Sequence, residues 1–123
     1  MTEKMKIIDF LKENQLDAIF VQKDENCRYL SKFTGSDSYL LLTKEELYLL
    51  TDSRYTEQAR KEAADYTVVD YKGHLAEIVA KLAGEYHIKT MGVETVFSYQ
   101  MYLSFHKYMP NIEFRFSQID RLR

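Results

Sequence analysis

Residues 26–59 read NCRYLSKFTGSDSYLLLTKEELYLLTDSRYTEQA, and the two apolar runs inside them decide the fold. Tyr39–Thr43 (YLLLT) and Leu47–Thr51 (LYLLT) have the length of strands, and residues 44–46 form a hairpin-sized connection between them. Both runs read as buried strands. On their amino-terminal side, residues 33–38 carry Gly35 and three hydroxyl residues, the composition of a loop. Asp24 is placed to cap a brief helix toward Leu30, its carboxylate accepting from the free amides of the first turn. On the other side, Asp52 or Ser53 is expected to cap a helix to about residue 64, with Tyr55, Ala59 and Ala63 on its inner face.

Working outward, Ile7, Phe10 and Leu11 recur at helical spacing and predict an amphipathic helix over 4–14. Residues 17–21 and 67–71 read as short strands, the second rich in β-branched side chains. Leu75, Ile78, Val79, Leu82 and Ala83 form the clearest helical stripe, expected to end at Gly84. A strand at Thr90–Val93 follows, then a helix capped by Ser98, running through Tyr108 and stopped by Pro110, then a last strand at 112–116. Strands alternating with helices indicate a three-layer α/β domain around one sheet of about six strands, with helices on its flanks. The hairpin makes that sheet mixed rather than wholly parallel.

A chain of 123 residues suits one domain spanning 1–123, with 46% hydrophobic and 29% charged residues in the balance of a soluble globular protein. A net charge of -2, without a Lys/Arg stripe, argues against a nucleic-acid surface. Lys4, Lys6 and Lys12 alternate with Glu3, Asp9 and Glu13, which is the pattern of a solvated helix face. The apolar runs are too short to span a bilayer, and residues 1–12 lack the continuous apolar core of a signal peptide. The lone Cys27 has no intrachain disulfide partner, which fits a cytoplasmic, reducing setting.

Catalytic templates find little purchase. His74, His87 and His106 fall on separate predicted elements, without HxH, HExxH or HxxxH spacing, so a metal site is not expected in this chain. Cys27 has no neighbouring histidine and reads as an inert, partly buried thiol. Gly35 belongs to no phosphate-binding glycine pattern, and Ser36 lacks a nucleophile elbow. Tyr99, Tyr102, Phe105 and Tyr108 share one helix; they either pack into the core or offer an aromatic surface to a partner.

As a sequence, the central stretch closely resembles the amino-terminal domain of the creatinase, prolidase and Xaa-Pro aminopeptidase family, nearest to bacterial Xaa-Pro aminopeptidases or dipeptidases. The matching residues are Asn26, Arg28, Tyr29, Leu30, Ser31, Phe33, Thr34, Gly35 and Ser36, then Thr51, Asp52, Arg54, Tyr55, Gln58 and Ala59. The resemblance implies a cytoplasmic homodimer, a proline-specific metallopeptidase acting on short Xaa-Pro peptides. Its pair of divalent ions, expected to be manganese, would sit in a catalytic domain beyond this chain. This domain itself would bind no cofactor and be inactive alone, engaging its own catalytic domain and covering the neighbour's cleft. A stand-alone binding module or pseudoenzyme of this fold, or a domain of a creatinase-like amidinohydrolase, fits the same residues.

In relatives, the loop at 33–39 reaches toward the neighbouring subunit's active site. Phe33, Ser36, Asp37 and Tyr39 are therefore the expected cleft-facing or substrate-facing residues, although Phe33 and Tyr39 could equally pack inward. Asp52, Arg54 and Tyr55 are expected to act structurally, Asp52 as a cap and Arg54 paired to a nearby carboxylate. The family commonly has glycine where Lys32 and Ser38 stand, so the backbone there is expected to differ from relatives.

Overall fold

Thr2 opens the first helix by accepting a 3.1 Å hydrogen bond from the Met5 amide, satisfying one of the amides a helix start leaves free. The computed structural model describes residues 2–123. Its elements run α1 (Glu3–Glu13), β1 (Ala18–Val21), α2 (Asp24–Ser31), β2 (Tyr39–Thr43), β3 (Leu47–Thr51), α3 (Thr56–Glu62), β4 (Thr67–Asp70), α4 (Leu75–Glu85), β5 (Thr90–Val93), α5 (Tyr99–Tyr108) and β6 (Glu113–Phe116). A 3₁₀ turn, Ile119–Leu122, follows.

The strands form one mixed sheet in the order β4-β3-β2-β1-β5-β6. β2 is antiparallel to both β1 and β3, while the β3–β4, β1–β5 and β5–β6 pairs are parallel. Alternation along each strand sorts side chains into two cores. Ile19, Val21, Leu40, Leu42, Leu47 and Leu49 meet Ile7, Phe10 and Leu11 of α1, Leu30 of α2 and Ala59 of α3. Ala18, Phe20, Leu41, Leu50, Met91 and Val93 meet Val79 and Leu82 of α4 and Phe105 of α5. The result is the expected three-layer arrangement. Leu40, Leu41, Leu42, Leu49 and Leu50 are fully buried, each worth about 1.5–3 kcal/mol of hydrophobic transfer.

Several helix ends differ from the sequence reading. Lys23, not Asp24, is the residue before α2; Asp24 is its first helical residue and contributes negative charge to the dipole's positive end. α3 starts only at Thr56, after Tyr55, and neither Asp52 nor Ser53 caps it; it ends at Glu62. Asp52 instead folds onto its own turn, accepting from the Arg54 amide at 2.9 Å. α4 continues through Gly84, which lies within the helix and has open space around it. Two strands begin a residue late: Asp17 accepts from the Lys89 and Thr90 amides, and the Ile112 amide turns back to Met109.

Lys32 adopts the left-handed conformation (φ 69) as the C-cap of α2. That is the backbone a glycine adopts most readily, so a lysine here retains the turn that glycine would make.

Candidate functional site

All strands except β2 point their carboxyl ends to the same side of the sheet, and the loop 33–38 enters β2 at that side. In open α/β sheets this edge is where ligands and partners are met. The loop is anchored at its start. Ser31 Oγ accepts from the Phe33 amide at 3.1 Å and donates to the Cys27 carbonyl at 2.6 Å. Glu62 Oε1 accepts from the Thr34 amide at 2.8 Å and from its hydroxyl at 2.9 Å, while Gln58 donates to Thr34 Oγ1 and Glu62 Oε2. The Thr34 amide and hydroxyl, with Gln58, hold the Glu62 carboxyl below its ordinary value.

Phe33 is 1% exposed, its ring in the core beside Tyr55. A Cβ at Gly35 would fall within 2.8–3.0 Å of the Phe33 Cε atoms, so the loop passes over that ring only because residue 35 has no side chain. Phe33 is thus a support beneath the loop rather than a group on its surface. Ser36 and Asp37 stand exposed at the tip, Asp37 in the left-handed conformation (φ 55) that aspartate tolerates well. Tyr39 is half-buried, stacked on Phe20 at 5.6 Å with the Tyr71 ring 5.9 Å away. Burial first, then the Asp37 charge, pushes the Tyr39 phenol up, and burial then Tyr39 do the same for Tyr71. Both phenols therefore keep their protons and can donate.

Arg54 is paired with Asp52 by two bonds, Nη2 to Oδ2 at 2.8 Å and Nε to Oδ1 at 3.2 Å. Its guanidinium also lies over the Tyr55 ring, 5.2 Å from the centroid. The Arg54 hydrogen bond holds the Asp52 carboxyl low. The expected pairing of Arg54 with a nearby carboxylate is present, and Asp52 is that carboxylate. The structure thus gathers Asp37, Tyr39, Asp52, Arg54 and Tyr71 along one rim and leaves Phe33 beneath it. Grooves of about 570 and 490 Å³ elsewhere are lined by none of these residues. The rim has charge and hydrogen-bonding capacity.

Beside the rim lies a group the sequence reading missed. Glu94, directly after β5, is 3% exposed. Its Oε1 accepts from the Gln22 and Lys23 amides at 2.6 and 2.9 Å, and its Oε2 from Asn26 Nδ2 at 2.6 Å. Asn26 Nδ2 also reaches Asp120 Oδ1 at 2.7 Å, and Lys23 Nζ contacts Asp120 Oδ2 at 3.0 Å. One carboxylate thus ties β1, α2 and β5 together, and Asn26 extends the network to the 3₁₀ turn. An acid immediately following a buried strand was the available signal.

The remaining candidates resolve simply. Cys27 is buried, donating weakly to the Val21 and Ser38 carbonyls at 3.6 Å; burial first, then Glu94, pushes its thiol far up, so it is a poor nucleophile. His74 precedes α4, His87 follows it and His106 lies on α5. Among the described residues no three His, Cys, Asp or Glu side chains converge to hold a metal. Of the α5 aromatics, Phe105 is buried and Tyr102 half-buried, while Tyr99 and Tyr108 are exposed.

A family profile described as Creatinase/Prolidase N-terminal domain matches residues 5–123. Over 99 residues the chain is 27% identical to the "Uncharacterized peptidase YqhT" of Bacillus subtilis, covering 80% of this chain and 28% of that one. Its fold is similar to the "Xaa-Pro dipeptidase from Bacillus anthracis" (TM-score 0.86, 28% identity, 94% of this chain and 32% of that chain). It is also similar to the N-terminal domain of the "cytoplasmic peptidase PepQ" of Mycobacterium tuberculosis (TM-score 0.87, 27% identity, 98% of each chain). The chain spans under a third of the length of the curated relatives it matches.

Proposed function

Because the chain belongs to the creatinase/prolidase N-terminal domain family, we propose that it is the non-catalytic amino-terminal domain of a proline-specific metallopeptidase, an Xaa-Pro dipeptidase or aminopeptidase. Hydrolysis takes place in a catalytic domain that follows in the longer polypeptide, where the divalent metal pair resides, manganese being our assignment. The enzyme is a cytoplasmic homodimer acting on short Xaa-Pro peptides. The present domain packs on its own catalytic domain, supports dimerisation and lays the rim around Asp37 over the partner's cleft.

One observation carries this reading. The 34–37 loop projects from the carboxyl edge of the sheet on a rigid footing of Phe33, Ser31 and Glu62, exposing Ser36 and Asp37 at its tip. A loop pre-set in this way can close another subunit's site without first being ordered. Asp37→Asn in the longer polypeptide, which removes the charge and keeps a residue that tolerates the left-handed backbone, is expected to lower kcat/KM for Xaa-Pro dipeptides on the order of tenfold, about 1.4 kcal/mol, with the melting temperature unchanged. Unchanged hydrolysis by that variant would remove the covering role, and turnover of creatine in place of dipeptides would overturn the substrate assignment. The purified 123-residue chain, supplied with divalent metal, is expected to hydrolyse no Xaa-Pro peptide.

A further inference from the structure

We infer that the free edge of β6 is a self-pairing surface, where two copies of this chain join antiparallel about a twofold axis at Phe114 and continue the sheet from one copy into the other. This supplies the contact for the homodimer proposed above and rests on that reading for its setting.

β6 is an outer strand of the sheet, and its sequence, EFRF, alternates two opposite charges with two aromatic side chains and holds no proline. Phe116 at its end is 70% exposed, and Tyr99 nearby on α5 is 74% exposed. Both line an aromatic groove of about 320 Å³ with Val93, Phe97, Tyr102 and Phe114.

The register follows from the backbone. The Glu113 amide donates to Lys89 and the Ser117 amide to Val93, so residues 113, 115 and 117 present their peptide groups to β5. Alternation then turns the peptide groups of Phe114 and Phe116 outward, without a strand to receive them. An antiparallel partner centred on Phe114 pairs the two Phe114 backbones with each other. It also brings each Phe116 amide to the other copy's Ile112 carbonyl, which lies within reach because only the Ile112 amide is used in the preceding turn.

The same register sets Glu113 directly opposite the second copy's Arg115, and Phe116 opposite Ile112 on the side facing α5. Opposite charges across such a pair are favourable, and like charges are not. Within one copy, Arg115 Nε already contacts Glu113 and Nη1 donates to the Gln15 carbonyl at 3.2 Å, which leaves Nη2 to reach across. The Glu113 side chain is 62% exposed and free to be shared. Centring the pair on Phe116 instead would set Arg115 against Ser117 and leave the charges unmatched. Centring it on Ile112 would set Glu113 against Asn111. Of the registers centred on the outward-facing residues 112, 114 and 116, that on Phe114 alone is complementary in backbone, charge and apolar contact together.

The test is mass in solution by sedimentation velocity on the 123-residue chain, expected at twice 14.6 kDa. Glu113→Arg and Arg115→Glu, each alone, are expected to fall to 14.6 kDa, and an equimolar mixture of the two to return to twice that mass. Recovery on mixing cannot come from the intrachain pair, which is broken in both variants. Phe116→Lys, at an exposed position that leaves the core intact, is expected to be monomeric with an unchanged circular dichroism spectrum. A monomeric parent chain, no recovery on mixing, or a dimer that persists in Phe116→Lys overturns the inference. Failure of the peptidase reading would appear instead as absent Xaa-Pro hydrolysis by the longer polypeptide, whatever its mass.

Discussion

Replacing Gly35 with alanine tests the footing of the loop directly. The added Cβ would stand 2.8 and 3.0 Å from the Phe33 Cε atoms and closer still to Cζ, inside the separation that carbon atoms tolerate. Phe33 cannot simply withdraw, because it is 1% exposed and packed beside Tyr55 in the core. Forcing one methyl group into a filled site costs typically 1–3 kcal/mol, and we take about 2 kcal/mol for this ring. For 123 residues the unfolding entropy is roughly 260 cal/mol/K, so the loss corresponds to about 8 °C in Tm. Urea unfolding with a shared m-value is the assay. Combining Gly35→Ala with Phe33→Leu should give a double variant less destabilised than the sum of its parts, because the shorter side chain makes room for the methyl. A Gly35→Ala protein as stable as its parent, or strictly additive losses, would refute the account of why residue 35 lacks a side chain.

Glu94→Gln places an NH₂ group where three donors converge and is expected to cost about 3 kcal/mol in urea unfolding, with the Asn26→Ala loss reduced in its presence. Asp120 is held below its ordinary carboxyl value by Asn26 first and Lys23 next. Its contribution is therefore present above the unfolded carboxyl range near ~4 and fades as the pH falls through the lower folded value. The stability difference between parent and Asp120→Asn should shrink accordingly in an acid titration, and a constant difference would contradict it. Gly84→Ala, inside α4 with open space around it, is expected to raise stability by about 0.5–1 kcal/mol, read as a higher urea midpoint.

Much of the layer order was legible because its causes are local. The stripe Ile7, Phe10, Leu11 and the runs 39–43 and 47–51 reveal which face each element buries, and burial dictates the layers. The caps were less legible. An aspartate before a helix offers its carboxylate to whichever amide is nearest, and at Asp52 the Arg54 amide and guanidinium win over a helix start four residues on. Gly84 reads as a helix stop, yet the left-handed turn that ends α4 falls three residues later on His87 (φ 53), with the Ile88 amide donating back to the Ala83 carbonyl. Of the rim, Asp37, Tyr39, Asp52 and Arg54 are reachable from the resemblance to relatives. Tyr71 and Glu94 are not, because the sheet order that brings them alongside joins residues separated by tens of positions.

The sheet order also has a consequence for how the chain acquires its structure. β2, β3 and β4 pair with neighbours close in sequence, whereas one flank of β1 stays open until β5 arrives, with Ala18 meeting Met91. The Asn26–Asp120 bond spans a separation of 94 residues in a chain of 123. Loop closure on that scale is entropically late, so β1 to β4 can condense while the chain is still emerging from the ribosome, and the last turn fastens a structure already half built. Until it does, the apolar flank of β1 is the surface a growing chain most needs shielded.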